Sequence, residues 1–169
     1  MKATLDHNVV IAFANQSPRV EQLRAQIESR VCEAFVVEVG ASEFRQRGVQ
    51  PDRYDLFEEL LREAKLDALP RLAPLAIWDV FFWDHALWSD DKGEAELHEI
   101  EGVLFGDAPA VDSGSRAWLN RKCDVLSMWC HLHYGNDVFV TSDGNFHKAT
   151  KLPCLVALGA KRIARPDEL

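Results

Sequence analysis

Short apolar runs of strand length alternate along this chain with segments of helical periodicity, and that alternation is its strongest constraint on fold. Residues 3–5 read as a buried strand that passes through Asp6-His7-Asn8 into an apolar helical turn at 9–13. Ser17-Pro18 supplies an N-cap and a first-turn proline for a helix carrying Val20, Leu23 and Ile27. Residues 34–39 form a second strand closed by Gly40, 41–47 a short helix stopped by Gly48, and Pro51-Asp52 opens a longer helix running to Ala64. Residues 72–78 have strand character, although Pro74 confines them to a sheet edge or to a strand's first residues. Helices follow at 94–104 and 116–134, the latter ended by Gly135. A strand at 137–141, a helix at 150–158 with Gly159 past its end, and a short strand at 162–164 complete the chain. Strands that alternate with helices build βαβ units, so the expected class is α/β with a mostly parallel sheet of about five strands.

Composition bounds this reading. With 169 residues and 47% hydrophobic content the chain suits one domain spanning 1–169. Its apolar stretches are broken well before the ~20 residues of a bilayer span, and Asp6 interrupts the start before a signal region can form, so no membrane association and a cytoplasmic location are expected. Cys32, Cys123, Cys130 and Cys154 lack close ligand-pair spacing and read as reduced core thiols. The formal charge of −8 is concentrated between Asp84 and Asp112, where nine acids face Lys92 alone. The remainder is neutral, and from Arg116 to Arg165 bases outnumber acids, so an acidic protein of this pattern is compatible with a nucleic-acid substrate.

Four carboxylates occupy positions where an acid is expensive. Asp6 and Asp143 each follow a buried strand at once and so lie at strand carboxyl ends, where open α/β sheets place their ligands. Asp124 sits on a helix that is apolar nearly all round, except for a stripe of Asn120, Asp124, Ser127 and His131. That stripe reads equally as a solvated face with His131 on the surface. Glu43 alone would be an ordinary first-turn acid, but it joins the other three to make an oxygen-only donor set suited to Mg2+ or Mn2+. Two such ions clamp the attacking and leaving oxygens of a phosphodiester displacement.

Asp6-His7-Asn8-Val9-Val10-Ile11, Glu43-Phe44-Arg45-Gln46-Arg47-Gly48, the helix-borne Asp124, and Val140-Thr141-Ser142-Asp143-Gly144-Asn145-Phe146 together resemble the PIN-domain nucleases. The four motifs occur in that family's order, and the resemblance spans Asp6 to Phe146. It implies a three-layer α/β/α sandwich and a metal-dependent endoribonuclease whose acidic tetrad corresponds to Asp6, Glu43, Asp124 and Asp143. Asn8, Thr141 and Ser142 match the family's supporting polar positions. The nearest small bacterial members are VapC-like toxins, which implies a possible antitoxin protein and a homodimer. The stretch 52–115 is longer than in those toxins and holds the acidic excess, which bears on the toxin role and leaves the tetrad untouched. A housekeeping RNA-processing enzyme, a structure-specific DNA nuclease of the FEN-like kind and an inactive PIN-like binding module are the alternatives.

Arg45, Arg47, Arg121, Lys122 and Lys148 adjoin the acids in sequence and are candidate contacts to an RNA backbone. His147-Lys148 reads equally as a phosphate contact and as a solvated turn, and His7 as a packing residue beside Asp6. Trp78, Trp83 and Trp88 read as core or interface packing in preference to a base-stacking platform. The segment 81–115, aromatic at its start and acidic beyond, is expected to form a homodimer contact or to receive a basic partner.

Overall fold

A computed structural model describes residues 1–47, 53–82, 84–106 and 108–169, with the backbone alone for 45–47. Trp83, Asp107, the Gly48 stop and the Pro51-Asp52 helix opening lie outside the described residues, as do the side chains of Arg45 and Arg47.

Five parallel strands form the central sheet in the order β3-β2-β1-β4-β5. They are β1 (Lys2–Leu5), β2 (Glu33–Val37), β3 (Arg71–Leu72), β4 (Val138–Val140) and β5 (Arg162–Ala164). The helices are α1 (His7–Ala14), α2 (Glu21–Glu28), α3 (Asp55–Ala64), α4 (Asp91–Phe105), α5 (Arg116–His133) and α6 (Leu152–Leu155), the last continued by one wider turn to Ala160. Helices on both faces make this the α/β/α sandwich that the alternation and the resemblance led one to expect.

Strand geometry sends successive side chains to opposite faces, and the two cores follow that period. Ala3, Leu5, Ala34, Val36, Val138 and Val140 face α1, α2 and α3 through Val10, Phe13, Leu23, Phe57 and Leu61. Val37, Leu72, Phe139 and Ile163 face α4 and α5 through Ile100, Leu104, Leu126 and Met128. Both layers are buried, so the strands read as near-continuous apolar runs.

Several expectations are corrected. The strand foreseen at 72–78 pairs in the sheet only at Arg71–Leu72, because Pro74 has no N–H to offer the ladder. Leu75 instead meets Leu87 in an isolated parallel bridge, with Ala76 N donating to Leu87 O and Leu87 N to Pro74 O, both at 2.8 Å. The short helix expected at 41–47 begins earlier and is a 3-10 helix, Glu38–Arg47, and Ser17 caps a separate 3-10 turn, Pro18–Val20, ahead of α2. Cys32, Cys123 and Cys130 are buried thiols, whereas Cys154 is exposed. Trp78 and Trp88 are 72% and 76% exposed and lie outside the core. Among the described residues no helix is long and apolar enough to cross a membrane.

Candidate active site

The parallel sheet delivers the ends of β1 and β4 to one edge. The ladder runs one residue past each strand, with Asp6 N donating to Val140 O at 3.1 Å and Thr141 N to Ala164 O at 3.0 Å. Asp6 and Thr141 are thereby fixed as neighbours. Asp6 also caps α1, its Oδ1 accepting from His7 N at 2.9 Å, a position where a carboxylate satisfies an orphan donor and meets the positive helix end.

Asn8 and Thr141 lock this arrangement. Asn8 Nδ2 donates to Asp6 Oδ2 at 2.5 Å and to Thr141 Oγ1 at 3.0 Å, while its Oδ1 accepts from Ser142 N at 2.9 Å. The Thr141 hydroxyl donates to Asp6 Oδ2 at 2.7 Å and accepts from Asp143 N at 3.0 Å. Asp143 Oδ1 in turn accepts from Asn145 N at 2.8 Å, closing a local turn that holds its carboxylate at the strand end. The supporting residues singled out by sequence thus orient both strand-end acids. His147 belongs to the same framework, its Nε2 bonded to Thr141 O at 3.0 Å, which reserves that ring nitrogen for the backbone.

Glu43 arrives from the 3-10 segment after β2. Ser42 Oγ donates to Val80 O, and Gly40 lies so close to α1 that a Cβ there would stand 2.7 Å from His7 Nδ1. A side chain at position 40 would push this segment away from α1. Asp124 arrives from α5, half-buried, with the exposed Asn120 one turn before it. Asp6, Glu43, Asp124 and Asp143 line one cleft of about 330 Å³ together with Asn8, Asn120 and Ser142.

The stripe on α5 is not a solvated face. Ser127 and His131 are buried, so it runs from water at Asn120 into the core. His131 Nε2 donates to Ala160 O at 3.0 Å, which leaves Nδ1 to accept from the Thr4 hydroxyl at 3.1 Å. Asn136 Nδ2 completes the chain by donating to Thr4 Oγ1 at 2.8 Å. Burial accordingly holds the His131 imidazole below its usual range and keeps it neutral.

Electrostatics separate Asp6 and Asp124 from ordinary carboxylates. Burial raises Asp6 to about 6, against the lowering influence of its bonds from Thr141, His7 and Asn8, and the negative charge of Asp143 adds to the rise. Asp124 is pushed well above the usual carboxylate range, first by burial and then by the charges of Asp6, Asp143 and Glu43. Lys151 opposes that shift, a residue that sequence reasoning passed over. Its ammonium donates to Leu104 O and, at 2.6 Å, to Asn145 Oδ1. The only sequence signal was the proximity of a lysine to the Asp143 turn.

The basic candidates divide. Lys122 pairs with Glu101 at 2.8 Å, and Arg121 lies 5.2 Å from the centre of the Phe105 ring, so both are engaged within the helical layer. Lys148 is exposed.

The donor set is oxygen-only and electrostatically overcharged, which is what a hard divalent cation relieves. Among the described residues, no three His, Cys, Asp or Glu side chains already form a metal shell; the acids stand along the cleft wall. Comparison with known proteins found no matching family model, curated protein or solved structure.

Proposed function

We propose that the chain is a metal-dependent endoribonuclease of the PIN-domain type, hydrolysing RNA phosphodiester bonds in the strand-end cleft. The observation that carries this reading is the convergence of Asp6, Glu43, Asp124 and Asp143 on one cleft, where Asp6 and Asp124 are held above their ordinary proton affinity by burial and mutual repulsion. Such a site gains most from a cation that replaces protons.

Asp6, Asp124 and Asp143 would hold Mg2+ or Mn2+, with Glu43 as the fourth acid. The bound ion supplies Lewis-acid activation of the phosphodiester and of the attacking water. Asn8 and Thr141 keep the Asp6 carboxylate oriented, and the Asn145 N–H does the same for Asp143. Asn120 and Ser142, in the cleft lining, present hydrogen-bonding groups to the sugar and phosphate of the strand. Lys151 offsets part of the negative charge.

The test is cleavage of a labelled synthetic RNA in magnesium or manganese against EDTA, with Asp6→Asn and Asp143→Asn as variants. Cleavage that needs the metal and both acids supports the reading. Cleavage by Asp143→Asn at the wild-type rate in EDTA, or RNA binding without any cleavage, would overturn it.

A further inference from the structure

The start of α4 borders a second feature, which shares no lining residue with the cleft. The parallel bridge between Leu75 and Leu87 ties the segment after β3 to the one before α4, and residues 76–79 share a groove with Ser89, with Glu94 and Leu97 of α4, and with Ser113 and Trp118 at the start of α5. Gly93 permits this approach, since a Cβ there would lie 2.8 Å from Leu75 Cδ1. The result is a groove of about 350 Å³ whose apolar lining includes Ala76, Ile77, Trp78, Leu97 and Trp118. Trp78 is 72% exposed within it, and Trp88 and Leu87 are 76% and 38% exposed nearby. Large aromatic surfaces left in water beside a groove are characteristic of binding anchors.

The surroundings define the occupant. Asp79 and Glu94 line the groove and are exposed, and Asp90, next in sequence to the lining Ser89, spends one carboxylate oxygen on capping Gly93 N at 2.7 Å. Lys92, the sole lysine or arginine between Asp84 and Asp112, already lies 3.5 Å from Glu96. A nucleic-acid strand would bring phosphates to this acidic rim. A two-fold pairing of copies through this face would set the same acids against one another. A cationic segment with apolar anchors satisfies both rim and floor.

We propose that this groove docks a basic, amphipathic segment of a partner protein, with Trp78 and Trp88 receiving its apolar side chains. The proposal is independent of whether the cleft cuts RNA.

Full-length protein would be titrated with a labelled Leu/Lys amphipathic peptide of about 18 residues, and with the same peptide carrying Glu for Lys. Peptide anisotropy and tryptophan emission report binding. The Leu/Lys peptide should bind with a blue shift and lose affinity with salt, and the Leu/Glu peptide should not bind. Trp78→Ala/Trp88→Ala and, separately, Glu94→Lys should each weaken binding by about tenfold or more, whereas Glu28→Lys on α2 should leave it unchanged. All these positions except Trp78 and Trp88 are charged surface sites, and the tryptophans are mostly exposed, so retained thermal unfolding curves separate lost docking from lost fold. Absence of binding, or equal binding of both peptides, would overturn the proposal. So would a dimer in sedimentation that the tryptophan variant dissolves, or labelled RNA bound through the tryptophans.

Discussion

The carboxylates of the cleft and those of α4 with its flanking loops differ in their surroundings, and the surroundings give them opposite roles. In the cleft, Asp6 is 4% exposed, caps a helix and is bonded by Thr141 and Asn8. On α4 and the loops before and after it, Asp84, Asp91, Glu94, Glu99 and Asp112 point into water. Removing an acid from water costs several kcal/mol on the order found for buried ions, whereas an exposed acid keeps its hydration and is weakened further by salt. The cleft acids therefore hold stored repulsion that a cation can release. The α4 acids hold none to speak of, and act outward as a field.

The sharpest way to break this comparison is catalytic. Asp6→Asn or Asp143→Asn should reduce RNA cleavage by more than about a hundredfold, given that even residues supporting metal ligands are worth ten to a hundred. Asp91→Asn and Glu99→Gln should leave the rate unchanged, although they remove the same charge. Equal losses at both regions in a turnover assay would mean that net charge, not the cleft, governs activity.

A second difference is thermodynamic. Asp124→Asn should raise the melting temperature of protein kept in EDTA, and added magnesium should raise that of wild type further but leave the variant unchanged. The exposed Glu99→Gln variant should alter neither. Calorimetry with and without metal reads both.

The third concerns pH. Asp6 titrates near 6 in the folded chain against an ordinary 3.8, so the folded state holds this proton more tightly. Its contribution to stability is fully present below about pH 4 and is lost as the pH rises through 6. Without metal, Asp6→Asn should therefore gain on wild type between pH 4 and 7 by up to roughly 3 kcal/mol. Denaturant unfolding across that range measures the gap, and a constant gap would show that Asp6 does not titrate in this way.

The smallest effect expected is on substrate grip. Lys148→Ala should lower the salt slope of RNA binding by about one. Lys122→Ala should lower it less, since Glu101 already engages that ammonium.

How much of this was legible in the sequence depends on the range of the interactions involved. Residues 162–164 and the long helix from Arg116 could be delimited because a short apolar run, helical periodicity and the Gly135 stop are local signals. Asp6 and Asp143 could be placed at strand ends for the same reason. The burial of His131 could not, because its partners Thr4 and Ala160 are supplied by distant parts of the chain. Lys151 escaped notice likewise, since its anchor at Leu104 O belongs to α4. Trp78 and Trp88 have the composition of core residues, and only the tertiary arrangement leaves them in water.

The strand order carries a consequence in time. β1, the first strand of this sheet to be made, lies between β2 and β4, so its second neighbour is made more than 130 residues later. Until β4 inserts beside β1, Asp6 has neither the Thr141 hydroxyl nor the Asp143 carboxylate next to it, and Asn8 has no Ser142 N–H to accept. Pairings of such long sequence separation are slow to form. The nascent chain thus carries Asp6 and Glu43 for some eighty residues without Asp124 or Asp143, and the site is assembled only once α5 and β4 have been made.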